Sequence, residues 1–182
     1  MPDPRLAALA AVLTAGCATA PRPPAPTGSV VLLAFDDGRI DGSIAFPSAH
    51  HEGVVRFELP PGQHRLVRLW VAAGAPGTLR WALYDQTPLE GPGDLVYEGK
   101  IEVIPAMATN GHDGRWSTVD LAAVPAQSGV LWLGLKRLEG DPTVAACRLD
   151  AGQYFLRNDD PKSPLNLMPV KRTPLVRLEI AP

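Results

Sequence analysis

Apolar residues recurring at every second position dominate the body of this chain, and Gly or Pro separates the runs. Val55, Phe57 and Leu59 alternate with Arg56 and Glu58; Val67, Leu69 and Val71 flank Arg68; Leu79, Trp81 and Leu83 alternate with Arg80 and Tyr84. A period of two places alternate side chains on opposite faces of an extended strand, so these segments read as half-buried antiparallel β-strands. Further strands are predicted over 30–35, 43–46, 95–104, 115–121, 130–137, 143–149, 153–156 and 175–180. Turn chemistry separates them: DDG at Asp36, PPG at Pro60, GAPG at Gly74, EGPGD at Glu90, NGHDG at Asn110 and EGD at Glu139. With 20 prolines and 17 glycines in 182 residues, every Ala-rich stretch is interrupted before it completes an amphipathic helix. The expected fold is all-β: an antiparallel sandwich, specifically a jelly roll.

The amino terminus departs from this pattern. LAALAAVLTA, residues 6–15, is an apolar run of ten residues, which as a helix reaches about 15 Å, half the hydrocarbon thickness of a bilayer. Its length and small-residue ending fit a secretory signal peptide. Next, Thr14-Ala15-Gly16-Cys17 resembles the lipobox of bacterial lipoprotein precursors, with Thr14 where Leu is commonest. The resemblance implies cleavage before Cys17, a thioether-linked diacylglyceryl group on its sulfur and acylation of the new amino end. Several acyl chains hold a protein on a bilayer without a spanning segment. Ala18, in place of an acidic residue, points by resemblance to the outer membrane of the cell envelope. The alternative, a buried cysteine ending an apolar helix, leaves the terminal position of the run unexplained.

Four prolines fall within residues 18–29, ATAPRPPAPTGS, which reads as a polyproline-like stalk. The expected organisation is therefore a signal peptide over 1–16, a lipidated Cys17 with its Pro-rich linker over 17–29, and one β-sandwich domain over 30–182. With Cys17 modified, Cys147 has no intramolecular partner, and its strand context makes it a buried, inert thiol.

Several segments also resemble, in order, a bacterial accessory domain found on secreted peptidases and other exported proteins. These are FDDGRIDGSIAF, VVRFELPPGQHRLVRLWVAAG, LRWALYD, RWSTVDLAAVPAQSGVLWLGL and PLVRLEI. Trp116, Val119, Asp120 and Leu121 match its W-x-x-V-D-L piece. Gly129, Leu131, Trp132 and Gly134 match its glycine-aromatic strand, with Leu131 replacing an aromatic residue. The resemblance implies a jelly-roll, galactose-binding-like sandwich and no particular activity, because sandwich folds host many roles.

A formal net charge of −2, with no Lys/Arg run, lacks the electrostatic footprint of a nucleic-acid binder. No catalytic constellation is legible. His51-Glu52 opens like a zinc-protease helix, but Val55 stands where the second His is needed and the segment alternates as a strand. His50 and His51 point to opposite faces, and His64 and His112 lie beside turns, as surface histidines do. Asp36, Asp37 and Asp41 offer oxygen ligands for a structural calcium, against the alternative of an Asp-Gly turn that bonds its own backbone. Arg68 with Trp70, and Arg80 with Tyr84, occupy the polar faces of successive strands, and a hairpin through Gly74–Gly77 makes them neighbours. An exposed indole beside arginines suits a sugar ring, whereas a covered Trp70 belongs to packing. Three functions follow: a membrane-anchored, non-catalytic domain recognising an envelope protein or other partner, a carbohydrate-binding module for wall or extracellular glycan, and an envelope hydrolase of unrecognised site.

Overall fold

The computed structural model describes residues 29–36, 38–87, 91–105, 116–149, 151–158 and 167–182. The described chain is all-β, with eleven strands and no helix. The strands are β1 (Val31–Ala34), β2 (Gly42–Ala45), β3 (His51–Glu58), β4 (Arg65–Gln86), β5 (Pro92–Val103), β6 (Trp116–Asp120), β7 (Val130–Cys147), β8 (Tyr154–Asn158), β9 (Leu167–Pro169), β10 (Thr173–Pro174) and β11 (Val176–Ala181). All pairings between them are antiparallel.

Two layers form an antiparallel β-sandwich. The smaller runs β1-β11-β4-β6 and uses the first half of β4, where Leu69 pairs with Leu178 on one side and Val119 on the other. The larger runs β5-β4-β7-β3-β8-β9 and uses the second half of β4, where Leu83 pairs with Leu133 and Tyr97. Both β2 and β10 pair with the distal end of β7. Leu69, Val71, Val176, Leu178 and Ile180 from the small sheet meet Val55, Phe57, Leu79, Trp81, Leu83, Leu131, Leu133 and Leu135 from the large one in a single core. These are the alternate positions that the period-two pattern assigns inward.

Two predicted turns are not turns. GAPG at Gly74 lies inside β4, and EGD at Glu139 lies inside β7, so four predicted strands merge into two long ones. The two interruptions sit side by side, with Gly77 paired to Gly140 and register shifts on either side. Gly77 has φ 151° and Gly140 φ 72°. Glycine takes these backbone conformations without a Cβ penalty, and a bulged strand bends. The Gly and Pro residues therefore build a corner at which β4 leaves one sheet for the other, instead of a chain reversal. Two short strands, β9 and β10, carry too few residues for any period to register.

Candidate functional site

The corner separates residues expected to be neighbours. Because β4 continues through Gly74–Gly77 instead of forming a hairpin, Arg68 and Trp70 lie on the outer face of the small sheet, and Arg80 and Tyr84 on that of the large one. The proposed four-residue group is thus divided between two surfaces.

On the small sheet, cross-strand pairing brings Arg177 opposite Trp70, Glu179 opposite Arg68, Thr118 opposite Trp70 and Trp116 opposite Ala72. The outcome is a face carrying two half-buried indoles, two guanidinium groups and a carboxylate. Arg177 donates to Asp36 through both arms, Nε to Oδ2 at 3.1 Å and a terminal nitrogen to Oδ1 at 2.6 Å. That hydrogen bond outweighs partial burial and holds the guanidinium pKa above its ordinary value. The same guanidinium stacks over Trp116, 4.4 Å from the ring centre, and Arg68 lies 5.3 Å from the centre of Trp70. Between the rings is an open depression of about 240 Å³, lined by Val30, Leu32, Trp70, Trp116, Arg177 and Glu179. Among the described residues, Trp70 Nε1 and Glu179 Oε2 have no hydrogen-bond partner. The nearest cation, a terminal nitrogen of Arg68, stands 3.8 Å from that oxygen.

The outer face of the large sheet is built differently. Glu52, on β3, is only 1% exposed. Tyr84 donates its hydroxyl to it at 3.0 Å, Arg157 donates Nε at 2.6 Å, and Arg80 reaches it at 3.4 Å while binding Glu98 at 2.6 Å. Space for this carboxylate exists because Gly134, directly across the sheet from Val54 and Ala82, has no side chain. A Cβ there would meet the Glu52 carboxyl group and the Tyr84 ring. Burial, reinforced by the Glu52 charge, pushes the Tyr84 hydroxyl up from its usual pKa. For Arg80 burial acts downward, but hydrogen bonds to Tyr84 and Glu98 and the Glu52 charge prevail and raise it. Val54, Ala82, Tyr84 and Trp132 form a second apolar cluster around this group. The whole is a packed ionic network with its carboxylate sealed from solvent, a structural tie between β3, β4 and β8.

Asp36 and Asp41 are each engaged by a different partner. The Asp36 side chain is fully buried, taken by Arg177 and by the backbone N–H of Gly38 at 2.9 Å. Asp41 accepts from the Arg148 N–H at 3.2 Å. Asp37 lies outside the described residues. The observed arrangement is the self-bonding Asp-Gly turn, extended by an arginine, and no cluster of three metal-ligating side chains occurs among the described residues. His51 Nδ1 hydrogen-bonds with Ser48 Oγ at 2.8 Å. His64, expected at the surface, is buried, with Nε2 3.0 Å from the Pro60 carbonyl. Cys147 is a free, fully buried thiol among Ala72, Ala145 and Leu175. Cys17 and His112 fall outside the described residues.

Trp116, Arg177, Glu179 and Glu52 were not singled out as site residues from sequence. The first three are contributed by β6 and β11, far from Trp70 along the chain, and only sheet pairing unites them. Glu52 carried one signal: it shares its strand face with apolar Val54, so that face is not wholly solvated. The chain matches no protein-family model and no curated protein.

Proposed function

We propose that this chain is a lipid-anchored, non-catalytic recognition domain of the bacterial cell envelope, attached through Cys17 and presenting the outer face of its small sheet to a partner. The observation that carries the recognition role is the open depression between Trp70 and Trp116, where aromatic, cationic and anionic groups share one accessible surface. Nothing positive indicates catalysis: Glu52, the one deeply buried carboxylate of the large sheet among the described residues, is tied up by Tyr84 and Arg157. The lipobox-like Thr14-Ala15-Gly16-Cys17 supports the anchor. No described helix is long and apolar enough to cross a membrane.

Growth with labelled palmitate, with and without the lipoprotein signal-peptidase inhibitor globomycin, tests the anchor. Label is expected on the wild-type chain and absent from Cys17→Ser, with the inhibitor causing the unprocessed form to accumulate. Mass spectrometry showing an unmodified Cys17 thiol in the mature protein overturns it.

A further inference from the structure

We infer that the Trp70–Trp116 depression binds a neutral saccharide, an inference that rests on the recognition role above and names its ligand class. The two indoles stand diagonally across β4 and β6, with Trp70 opposite Thr118 and Trp116 opposite Ala72. Diagonal partners of this kind are roughly 7–8 Å apart, close enough for two large rings to border one small ligand. At about 240 Å³ the depression is smaller than the roughly 300–1,000 Å³ typical of drug-sized ligand pockets and suits a single ring-sized group.

Charge selects against ions. Arg177 is matched by Asp36 in a two-armed ion pair, and Arg68 faces Glu179. Neither an anion nor a cation finds an uncompensated partner there, so the ligand is neutral. Aromatic faces then supply contact for an apolar surface.

Hydrogen bonding selects for hydroxyl groups. Among its buried side-chain atoms the face holds one unpaired donor, Trp70 Nε1, and one unpaired acceptor, Glu179 Oε2. Each is costly to leave unmade in a desolvated complex. A hydroxyl both donates and accepts, so a sugar edge satisfies the two together. A proline-rich peptide, the other neutral ligand that aromatic grooves take, offers carbonyl acceptors but no proline N–H for Glu179. Both atoms are enclosed in the free protein, where the Arg68 guanidinium lies beside the Trp70 ring and the Glu179 carboxylate. The Arg68 side chain is 45% exposed, and it must swing aside for the ligand to reach these atoms.

The test uses the full chain in a zwitterionic detergent without sugar headgroups, titrated with soluble α-glucan, β-glucan and chitin oligosaccharides and, separately, with a decaproline peptide. Calorimetry gives affinity. At least one oligosaccharide is expected to bind with Kd at or below about 1 mM, and Trp70→Ala and Trp116→Ala to weaken it by about tenfold or more. Arg80→Ala, on the other sheet, retains wild-type affinity. Glu179→Gln, which preserves size, is expected to weaken binding and covers the case in which a tryptophan variant fails to fold. No oligosaccharide binding, undiminished binding in all three face variants, or binding of decaproline alone overturns the saccharide assignment. Acylated protein that ignores sugars removes this inference alone; sugar-binding protein without acyl label removes the anchor alone.

Discussion

Gly77 and Gly140 stand opposite each other where β4 and β7 bend, and a Cβ added to Gly140 would lie 3.6 Å from the Gly77 Cα. This pair is the corner of the sandwich, and it decides which sheet each half of β4 joins. A Cβ at Gly77 would lie 2.7 Å from the Glu139 carbonyl oxygen and 2.8 Å from Pro142 Cδ. Gly77→Ala is therefore expected to destabilise by about 3 kcal/mol, combining backbone strain with overlap. Gly129, with φ 72° but open space around it, should lose only about 1 kcal/mol as Ala. Urea unfolding of the two variants gives the comparison, and equal losses contradict the corner's tightness.

Removing Glu52 leaves Arg157, whose side chain is 14% exposed, without its carboxylate. Glu52→Ala is expected to cost about 3 kcal/mol, since breaking one side of a buried pair strands the other charge. Gly134→Ala should also destabilise, by about 1–3 kcal/mol, because the new methyl group occupies the carboxylate's space. A thermal midpoint of Glu52→Ala equal to wild type rules out a structural tie at this position.

Burial raises the pKa of both Tyr84 and Tyr154 above the ordinary tyrosine value. A raised folded-state value means that the native protein holds these protons more tightly than the unfolded chain. The associated stability is whole below about pH 10 and is lost as pH climbs above it. Tyr84→Phe and Tyr154→Phe should each flatten the alkaline decline, read as the unfolding midpoint against pH. Phenolate absorbance of the native protein should likewise appear later than that of the unfolded chain.

With its carboxylate engaged by Arg177 and Gly38, Asp36 serves the turn and the ion pair. Asp36→Asn is expected to cost about 2 kcal/mol, less than a fully buried pair because Arg177 is 25% exposed. Calcium and chelator should leave the wild-type melting midpoint where it is. A calcium-dependent rise would support the metal reading of Asp36, Asp37 and Asp41.

Cys147 has no exposed surface. A thiol reagent should leave it untouched in the native protein and modify it at the rate of unfolding in denaturant. Fast labelling under native conditions would place that segment of β7 differently.

Much of the fold was written in local pattern. Alternation at Val55–Leu59, Leu69–Val71 and Leu79–Leu83 marked inward faces that the core uses, because side-chain direction along a regular extended strand follows sequence spacing. At Val67 it failed: the register shift between Glu179 and Ile180 turns Leu66 inward instead. The DDG turn was equally legible, since Asp36 bonds the Gly38 N–H within its own segment. What local pattern got wrong was the meaning of GAPG and EGD, which read as turns but lie inside β4 and β7. Gly and Pro interrupt a strand in the same way whether the chain reverses or bends, and only the pairing of Gly77 with Gly140 makes these two a bend. That choice divided Arg68 and Trp70 from Arg80 and Tyr84, and it set Trp70 beside Trp116, Arg177 and Glu179 instead. The sequence by itself determined that the chain makes sheets, and which side chains turn inward where a strand runs without a bulge. Tertiary pairing alone decided which strands became neighbours, and hence the composition of the aromatic face, because cross-strand contacts join residues whose separation along the chain carries no local signal.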